Sequence, residues 1–589
     1  MGALDNIDLN LVRSYDDVQR FMQWLGERRQ FLAIDTETEG LNVGRDQIRL
    51  MQFGDGTAGW AFDYKDWRAL IKEVIESYDR PTVCHNLLYD SKMLRKDGVT
   101  IPQRHANDTM VMSFLDNPAS KIGLKAMAAR RVDRRAAFGQ NILGQAMSAG
   151  GWSWATIPID HPAYWQYGVL DTCLTSLLAE KLYPETAGGK YKQAYDLELA
   201  CIHVLREAEI AGMQIDPVYC RLATEKLERE LDDLRPQIPI SNPGSDVQVR
   251  NYLLELGCPL FVKTEAGALS VAKDVLQWLA PNYPVATLIE AYRSKQRMLS
   301  NYFHKFEELE VDGRVHCSTK PVGARTGRMT VTDPALQTLP RGRLVRDAFI
   351  PSDGCTIVQA DFNGMEMRAL ASMAKEQNML AAFARGEDLH NFVASSVYGA
   401  NYTKANRQTC KSAGFAKIYG AGIEQFSVTA GISVAEGASF LERYDMLFPG
   451  VRLFQEAVAM DVVIKSGGRR KMGYVELIDG RHLPVEADKA YKGVNFKIQG
   501  SCAVSTKEKI VELDHAGIGE FFRLAVHDEL LFDVPIPEVE EVRAIIKEVM
   551  PDRHNFPGVT LTIETDTITR WGKHYPEYDK YIDMEALAA

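Results

Sequence analysis

The twelve residues RLAVHDELLFDV, 523 to 534, constrain the fold more than any other stretch. An apolar run, the triplet His527-Asp528-Glu529 and a second apolar run describe a tight hairpin whose strands are both buried. Adjacent carboxylates at the tip of such a hairpin are costly as bare anions away from water. GCTIVQADFNGMEMRAL repeats the theme: a strand runs into Asp361, turns, and continues with Glu366 and Arg368. Asp361 and Asp528 each close an aliphatic strand, so they can meet on one sheet. Two such aspartates suit a two-metal site for phosphoryl transfer.

RQTCKSAGFAKIYGAG, between the two, places Arg407, Lys411, Phe415 and Tyr419 at four-residue steps. On a helix these share one broad face. Arginine and lysine grip a triphosphate, and the two rings offer flat surfaces to a base. Gly420 then ends or bends the helix.

A second acid set lies in the first third of the chain. FLAIDTETEG is a buried-strand run holding Asp35 and Glu37, which at i and i+2 point the same way. CHNLLYDSKML spaces Asn86 and Asp90, and YWQYGVLDTC spaces Tyr167 and Asp171, by four. Four carboxylates converging on one point repel each other unless hard divalent cations separate them. Two ions roughly 3.5–4 Å apart clamp the attacking water and the leaving oxygen of a phosphodiester. Tyr167 is placed to orient that water.

At 589 residues the chain exceeds one core, and two to four domains are expected. Its beginning alternates short strands and helices, YPETAGGKYK (183 to 192) is a candidate boundary, and 193 to about 310 is mostly helical. A formal net charge of −11 argues weakly against nucleic acid, although local cations decide binding rather than their sum. Arg325, Arg328, Arg341, Arg343 and Arg346 form one cationic cluster; Arg293, Lys295 and Arg297 form another. The nine cysteines are scattered without a C-x-x-C pair, which suits a reducing interior. No apolar run reaches membrane-spanning length, no phosphate loop of the G-x-x-x-x-G-K-[ST] type occurs, and no signal peptide is expected. No membrane partner is expected.

The order D-x-E, N-x-x-x-D, Y-x-x-x-D resembles the three motifs of the DnaQ-like 3′–5′ exonucleases, and GLKAMAARRV is similar to the family between its second and third motifs. DFNGMEMR, RQTCKSAGFAKIYG and VHDE resemble motifs A, B and C of the family A DNA polymerases. ARTGRMTVTDPALQTLPRGRLVRDAFIP, GVNFKIQGSCA, NPGSDVQVRNYLLELG and AYRSKQRMLSNY agree with the same family. The resemblance implies an α/β and α+β multidomain chain, a ribonuclease H-like exonuclease followed by a right-hand polymerase. The implied division is 1–188 exonuclease, 189–315 thumb and connecting helices, 316–390 palm, 391–500 fingers and 501–589 palm.

It also implies roles. Asp361, Asp528 and the Phe362 carbonyl hold two Mg²⁺ ions, with Mn²⁺ able to substitute, and Glu529 is an auxiliary acid. Asp35, Glu37, Asp90 and Asp171 hold two more, with Tyr167 completing that catalytic set. Arg407, Lys411 and His390 contact the triphosphate, and Lys411 protonates the departing pyrophosphate. Phe415 and Tyr419 pack on the nucleotide, and Glu366 blocks a ribose 2′-OH. Arg328, Arg346, Asn495, Gln499 and His527 contact primer-template DNA, as do Arg293 and Lys295 in the thumb. The partners implied are primer-template DNA and dNTPs, with a helicase, single-strand-binding protein or processivity factor as accessory candidates.

Phe362 replaces a usual Tyr, Asn363-Gly364 a usual Ser-Gln, and Gly414 a usual Asn, which bears on nucleotide selectivity. Phe415 rather than Tyr implies discrimination against dideoxynucleotides. No 5′-nuclease domain is expected ahead of the exonuclease, a layout typical of phage replicative enzymes, so the expected location is the cytoplasm of a bacterial host. Three rivals stay open from the residues: a single-subunit RNA polymerase, a nuclease whose second half only binds DNA, and a structural DNA-binding protein. Glu366 and the exonuclease motifs oppose the first, and the two acid sets oppose the last.

Overall fold

The computed structural model describes residues 3–264, 266–340, 342–420, 422–468 and 471–572. Arg341 and the last residues of the expected second palm segment lie outside them.

Near the N-terminus six strands form one mixed sheet in the order Asp8–Leu11, Ala58–Asp63, Ile48–Gly54, Leu32–Thr38, Thr82–Cys84, Ala106–Asp108. Leu32–Thr38 runs antiparallel to Ile48–Gly54 and parallel to Thr82–Cys84. Its apolar run is continuous because both faces are covered. The helix Pro162–Leu182 crosses the sheet, burying Tyr164, Val169, Leu174 and Leu178. Gly59 allows that approach: a Cβ there would lie 2.5 Å from Val169 Cγ1.

The helix Lys192–Ala211 joins this unit to the rest. On one side Tyr195 Oη accepts from the Asp108 amide at 2.8 Å, and Glu209 pairs with Lys92 at 2.7 Å. On the other it packs against the long helix Lys492–His515, which is buried around most of its circumference. Residues 217–298 are mainly helical as expected, and Val249, Leu253, Val275, Leu276 and Ile289 form a small core of their own.

The second sheet is antiparallel, in the order Phe522–Val526, Glu529–Pro535, Cys355–Phe362, Ile563–Ile568. RLAVHDELLFDV is the hairpin expected, with His527 and Asp528 as its two-residue turn. Helices Leu389–Tyr398, Lys404–Tyr419, Val434–Leu447 and Pro449–Ser466, with the hairpin Met472–Glu476/His482–Glu486, pack on one another and on the long helix Lys492–His515. Among the described residues no helix is long and apolar enough to cross a membrane.

Candidate active sites

The strand register sets Asp361 opposite Glu529 on one side and Glu564 on the other. The Phe362 amide donates to the Asp528 carbonyl at 3.2 Å, which brings the hairpin turn to the end of Asp361's strand. His527 makes that turn at φ +61°, a conformation that costs a non-glycine residue about 1–3 kcal/mol and tends to mark functional sites. Burial first, and the Asp361 charge second, push the Asp528 carboxyl up to about 7. After Phe362, Gly364 turns the chain at φ +60° into the helix Met365–Met373, so Glu366 leaves from its first turn.

Glu529 departs from the auxiliary role expected of it. Trp571 Nε1 donates to Oε1 at 2.7 Å and Arg346 contacts Oε2 at 3.5 Å. The carboxylate is buried, and a buried charge must be paired, so it fastens the hairpin tip to Trp571. Glu564 instead lines the cleft with Asp361 and Asp528; the alternation in LTIETDTI is the only signal for it.

Glu366, His390, Lys411, Phe415, Tyr419 and His527 line the same cleft. The helix Lys404–Tyr419 starts in a reciprocal cap: Thr403 N donates to Asn406 Oδ1 (2.9 Å) and Asn406 N to Thr403 Oγ1 (3.2 Å). It ends at Tyr419, and Gly420 follows at φ +64°. Arg407 donates to Asp388 and Asn391, each at 2.7 Å. Burial chiefly lowers the His390 imidazole to about 4, so it is neutral at neutral pH. Phe415 and Tyr419 stack with centroids 6.3 Å apart. Gln499 Nε2 donates to Tyr419 Oη at 2.8 Å, Tyr419 Oη lies 3.4 Å from a Glu366 oxygen, and Arg328 pairs with the other.

Two residues expected to contact DNA have partners within the protein. Arg293 donates to the Pro243 and Val271 carbonyls at 2.6 and 3.0 Å and pairs with Asp246 at 3.0 Å. Lys295 pairs with Glu230. Both are half-buried and paired within the helical unit. Arg297, one turn on from Arg293, is exposed. Arg346 lies over the Trp571 ring at 4.9 Å, and Asn495 Oδ1 is buried without a hydrogen-bond partner.

In the first unit Asp35 lies midway along Leu32–Thr38 and Glu37 near its end, both close to Asp90. Burial dominates their electrostatics. It pushes Asp35 up to about 7, and pushes Glu37 and Asp90 well above the carboxylate range, with Asp35's charge adding to both. Asp90 Oδ1 accepts from the Thr36 amide at 3.0 Å and hydroxyl at 2.7 Å. Asn86 is the left-handed cap (φ +80°) of the helix Leu87–Lys96, not a member of its face. Asp108 braces that turn, accepting from the Asn86 and Leu87 amides at 3.2 and 2.9 Å.

The expected four-acid convergence is altered by Lys125. It pairs with Asp171, lies 4.5 Å over the Tyr167 ring, and offsets the charges of Asp35 and Glu37. Burial lowers its own pKa to about 8, against those carboxylates. With Asp90 turned to Thr36 and Asp171 to Lys125, no three His, Cys, Asp or Glu side chains form a ready cage among the described residues. The donor chemistry still fits a hard divalent cation. Every donor is an oxygen, and burial and mutual repulsion are what such a cation offsets. GLKAMAARRV held the signal for Lys125, a cation between two acid motifs.

Comparison with known proteins places these two regions separately. Residues 10–187 match the model for 3′–5′ exonuclease, and 220–573 match that for DNA polymerase family A. The DNA polymerase of Mycobacterium phage L5 is 26% identical, over 93% of this chain and 94% of its own length. DNA polymerase I of Chloroflexus aurantiacus is 28% identical over 84% of this chain, which spans 55% of that protein. The solved POL domain of Pol1 from M. smegmatis, in complex with DNA primer-template and dNTP, shares the fold. Its TM-score is 0.79 at 22% identity, covering 96% of this chain and 99% of that one.

Proposed function

Because this chain belongs to DNA polymerase family A and carries a 3′–5′ exonuclease domain, we propose that its two acid clusters are two separate phosphoryl-transfer sites serving phage DNA replication. The observation that carries this is that Asp361 and Asp528, both half-buried, come together at the end of one sheet, in the cleft that also holds Lys411, Phe415 and Tyr419.

Asp361, Asp528 and the Phe362 carbonyl would hold ions at the first site, and Asp35, Glu37, Asp90 and Asp171 at the second. Two divalent cations of the Mg²⁺ class supply the positive charge that stabilises the reacting phosphate and its attacking oxygen. The chain's own residues then do the rest. Arg407 exchanges Asp388 for the triphosphate, and Lys411 holds its other oxygens and gives a proton to the departing pyrophosphate. Phe415 and Tyr419 present stacked faces to the incoming nucleotide, and neutral His390 donates a hydrogen bond without adding charge. Glu366, gripped by Arg328 and Tyr419, fills the space a 2′-OH needs. Gln499, Asn495, Arg346 and His527 face the primer terminus. At the second site Tyr167 orients the hydrolytic water for a frayed 3′ end. The division 1–188, 189–315, 316–390, 391–500 and 501–589 is the layout we assign.

A labelled primer-template decides between this and a nuclease that merely binds DNA. Asp361→Ala or Asp528→Ala is expected to abolish extension and spare single-strand hydrolysis, while D35A with E37A does the reverse. Loss of both activities from either change, in a folded chain, would defeat the two-site reading.

A further inference from the structure

Four charged side chains lie fully buried at and behind the inner wall of the polymerase cleft, two of each sign, and Lys507 is the one of them that lines the cleft. Lys507, on the long helix, donates to both Glu198 oxygens at 2.6 and 2.8 Å. Arg481 donates to Glu198 at 2.6 Å and to Asp479 at 2.7 Å. Stability alone gives little reason for such a cluster, because apolar residues of like volume serve as well or better. What apolar residues lack is direction, and one bond here has a direction that matters.

The third Lys507 proton goes to the Gly327 carbonyl oxygen at 2.8 Å, so all three donors are fixed. Gly327 takes φ +82°, and a Cβ there would lie 3.4 Å from Arg481 Nη1. The cluster thus grips the backbone of a turn closed by Ala324, whose carbonyl accepts from Gly327 at 2.8 Å and whose amide donates to Arg328 at 3.1 Å. Arg328 is the next residue, and its guanidinium holds Glu366. Glu366 therefore has two partners: Tyr419, and an arginine whose root is clamped from behind by Lys507.

We propose that Lys507 and Glu198 are positioning residues for nucleotide sugar selection, fixing the Gly327–Arg328 turn so that Arg328 holds Glu366 in the space of a 2′-OH. Both side chains are fully buried and spent on hydrogen bonds within the protein, so they act through the turn. Glu198 comes from the helix that joins the exonuclease to the rest, so this link also ties that helix to the nucleotide pocket. The inference rests on the reading of Glu366 as the sugar gate.

The test is single-nucleotide incorporation of dNTP and rNTP by the full chain, with exonuclease rate and melting temperature read alongside. Lys507→Met removes the donor to Gly327 and is expected to lower dNTP-over-rNTP discrimination by roughly tenfold or more, the scale of one charge-assisted hydrogen bond. Lys507→Gln, whose amide can still donate to the carbonyl, should recover most of it. In an E366A background K507M should add nothing. Single-strand hydrolysis should be unchanged throughout. If K507M does not fold, the pair E198Q with K507M removes one charge of each sign and gives the same reading. Intact discrimination in either folded variant, or an effect of K507M that multiplies with that of E366A, overturns the proposal. An E366A chain that discriminates as well as the parent overturns the gate reading instead.

Discussion

Removing divalent cations should make the fold lose stability as pH rises from about 4 towards 7, and restoring Mg²⁺ should return it. The magnitude comes from Asp35 and Asp528, each moved from an ordinary 3.8 to about 7, mainly by burial. In the window between those values the folded chain keeps protons that the unfolded chain has released. Stability is then fully present below the unfolded value and is lost as pH climbs to the folded one. At about 1.4 kcal/mol per unit, each group contributes a loss of up to roughly 4 kcal/mol across the window. Glu37 and Asp90 add in the same direction. Lys125 acts with the opposite sign, but only above its depressed value of about 8. A cation at a hundred times its Kd stabilises the folded state by about 2.7 kcal/mol, which for a unit of this size raises Tm by roughly 5–10 °C. The assay is thermal melting in EDTA and in Mg²⁺ at pH 5 and pH 8, for the parent, D35N with E37Q, and D361N with D528N. The Mg²⁺ shift should be large at pH 8, small at pH 5, and reduced in each variant. A shift equal at both pH values, or undiminished when D35N, E37Q, D361N and D528N are combined, would refute the assignment of these carboxylates to cations.

Three further outcomes are expected. Trp571→Phe leaves the buried Glu529 carboxylate with Arg346 alone and should lower stability by about 1–3 kcal/mol, read by denaturant melting. Lys125→Met unfastens Asp171 and should slow hydrolysis of a labelled single strand by about tenfold or more while leaving primer extension intact. Gly473→Ala places a Cβ 2.0 Å from the Val462 carbonyl oxygen, so the hairpin Met472–Glu476 must part from the helix Pro449–Ser466. A loss of about 1–3 kcal/mol is expected, seen as earlier unfolding by hydrogen exchange of that hairpin.

Much of this was legible one segment at a time. The hairpin at His527-Asp528, the strand ending at Asp361, the cationic-aromatic helix Lys404–Tyr419 and its stop at Gly420 are local features. Alternation, four-residue spacing and turn chemistry act between near neighbours, so a linear reading recovers them. Partners far apart in sequence escaped it. Glu529 looked like a second catalytic acid because it adjoins Asp528, yet its surroundings are Trp571 and Arg346. Arg293 and Lys295 looked like phosphate contacts because they alternate in a basic stretch, yet Pro243, Val271, Asp246 and Glu230 claim them.

The sequence by itself determined which residue types this protein carries at each strand end and helix face, and with them its family and its two acid sets. Only the tertiary structure decided which of those charges face a cleft and which are consumed inside. It put Lys125 between the exonuclease acids and closed Lys507 on Glu198 across 309 positions. The reason is physical. A charge taken out of water must find an opposite charge or a hydrogen bond, and in a chain this long the partner is set by how the domains pack, not by spacing along the chain.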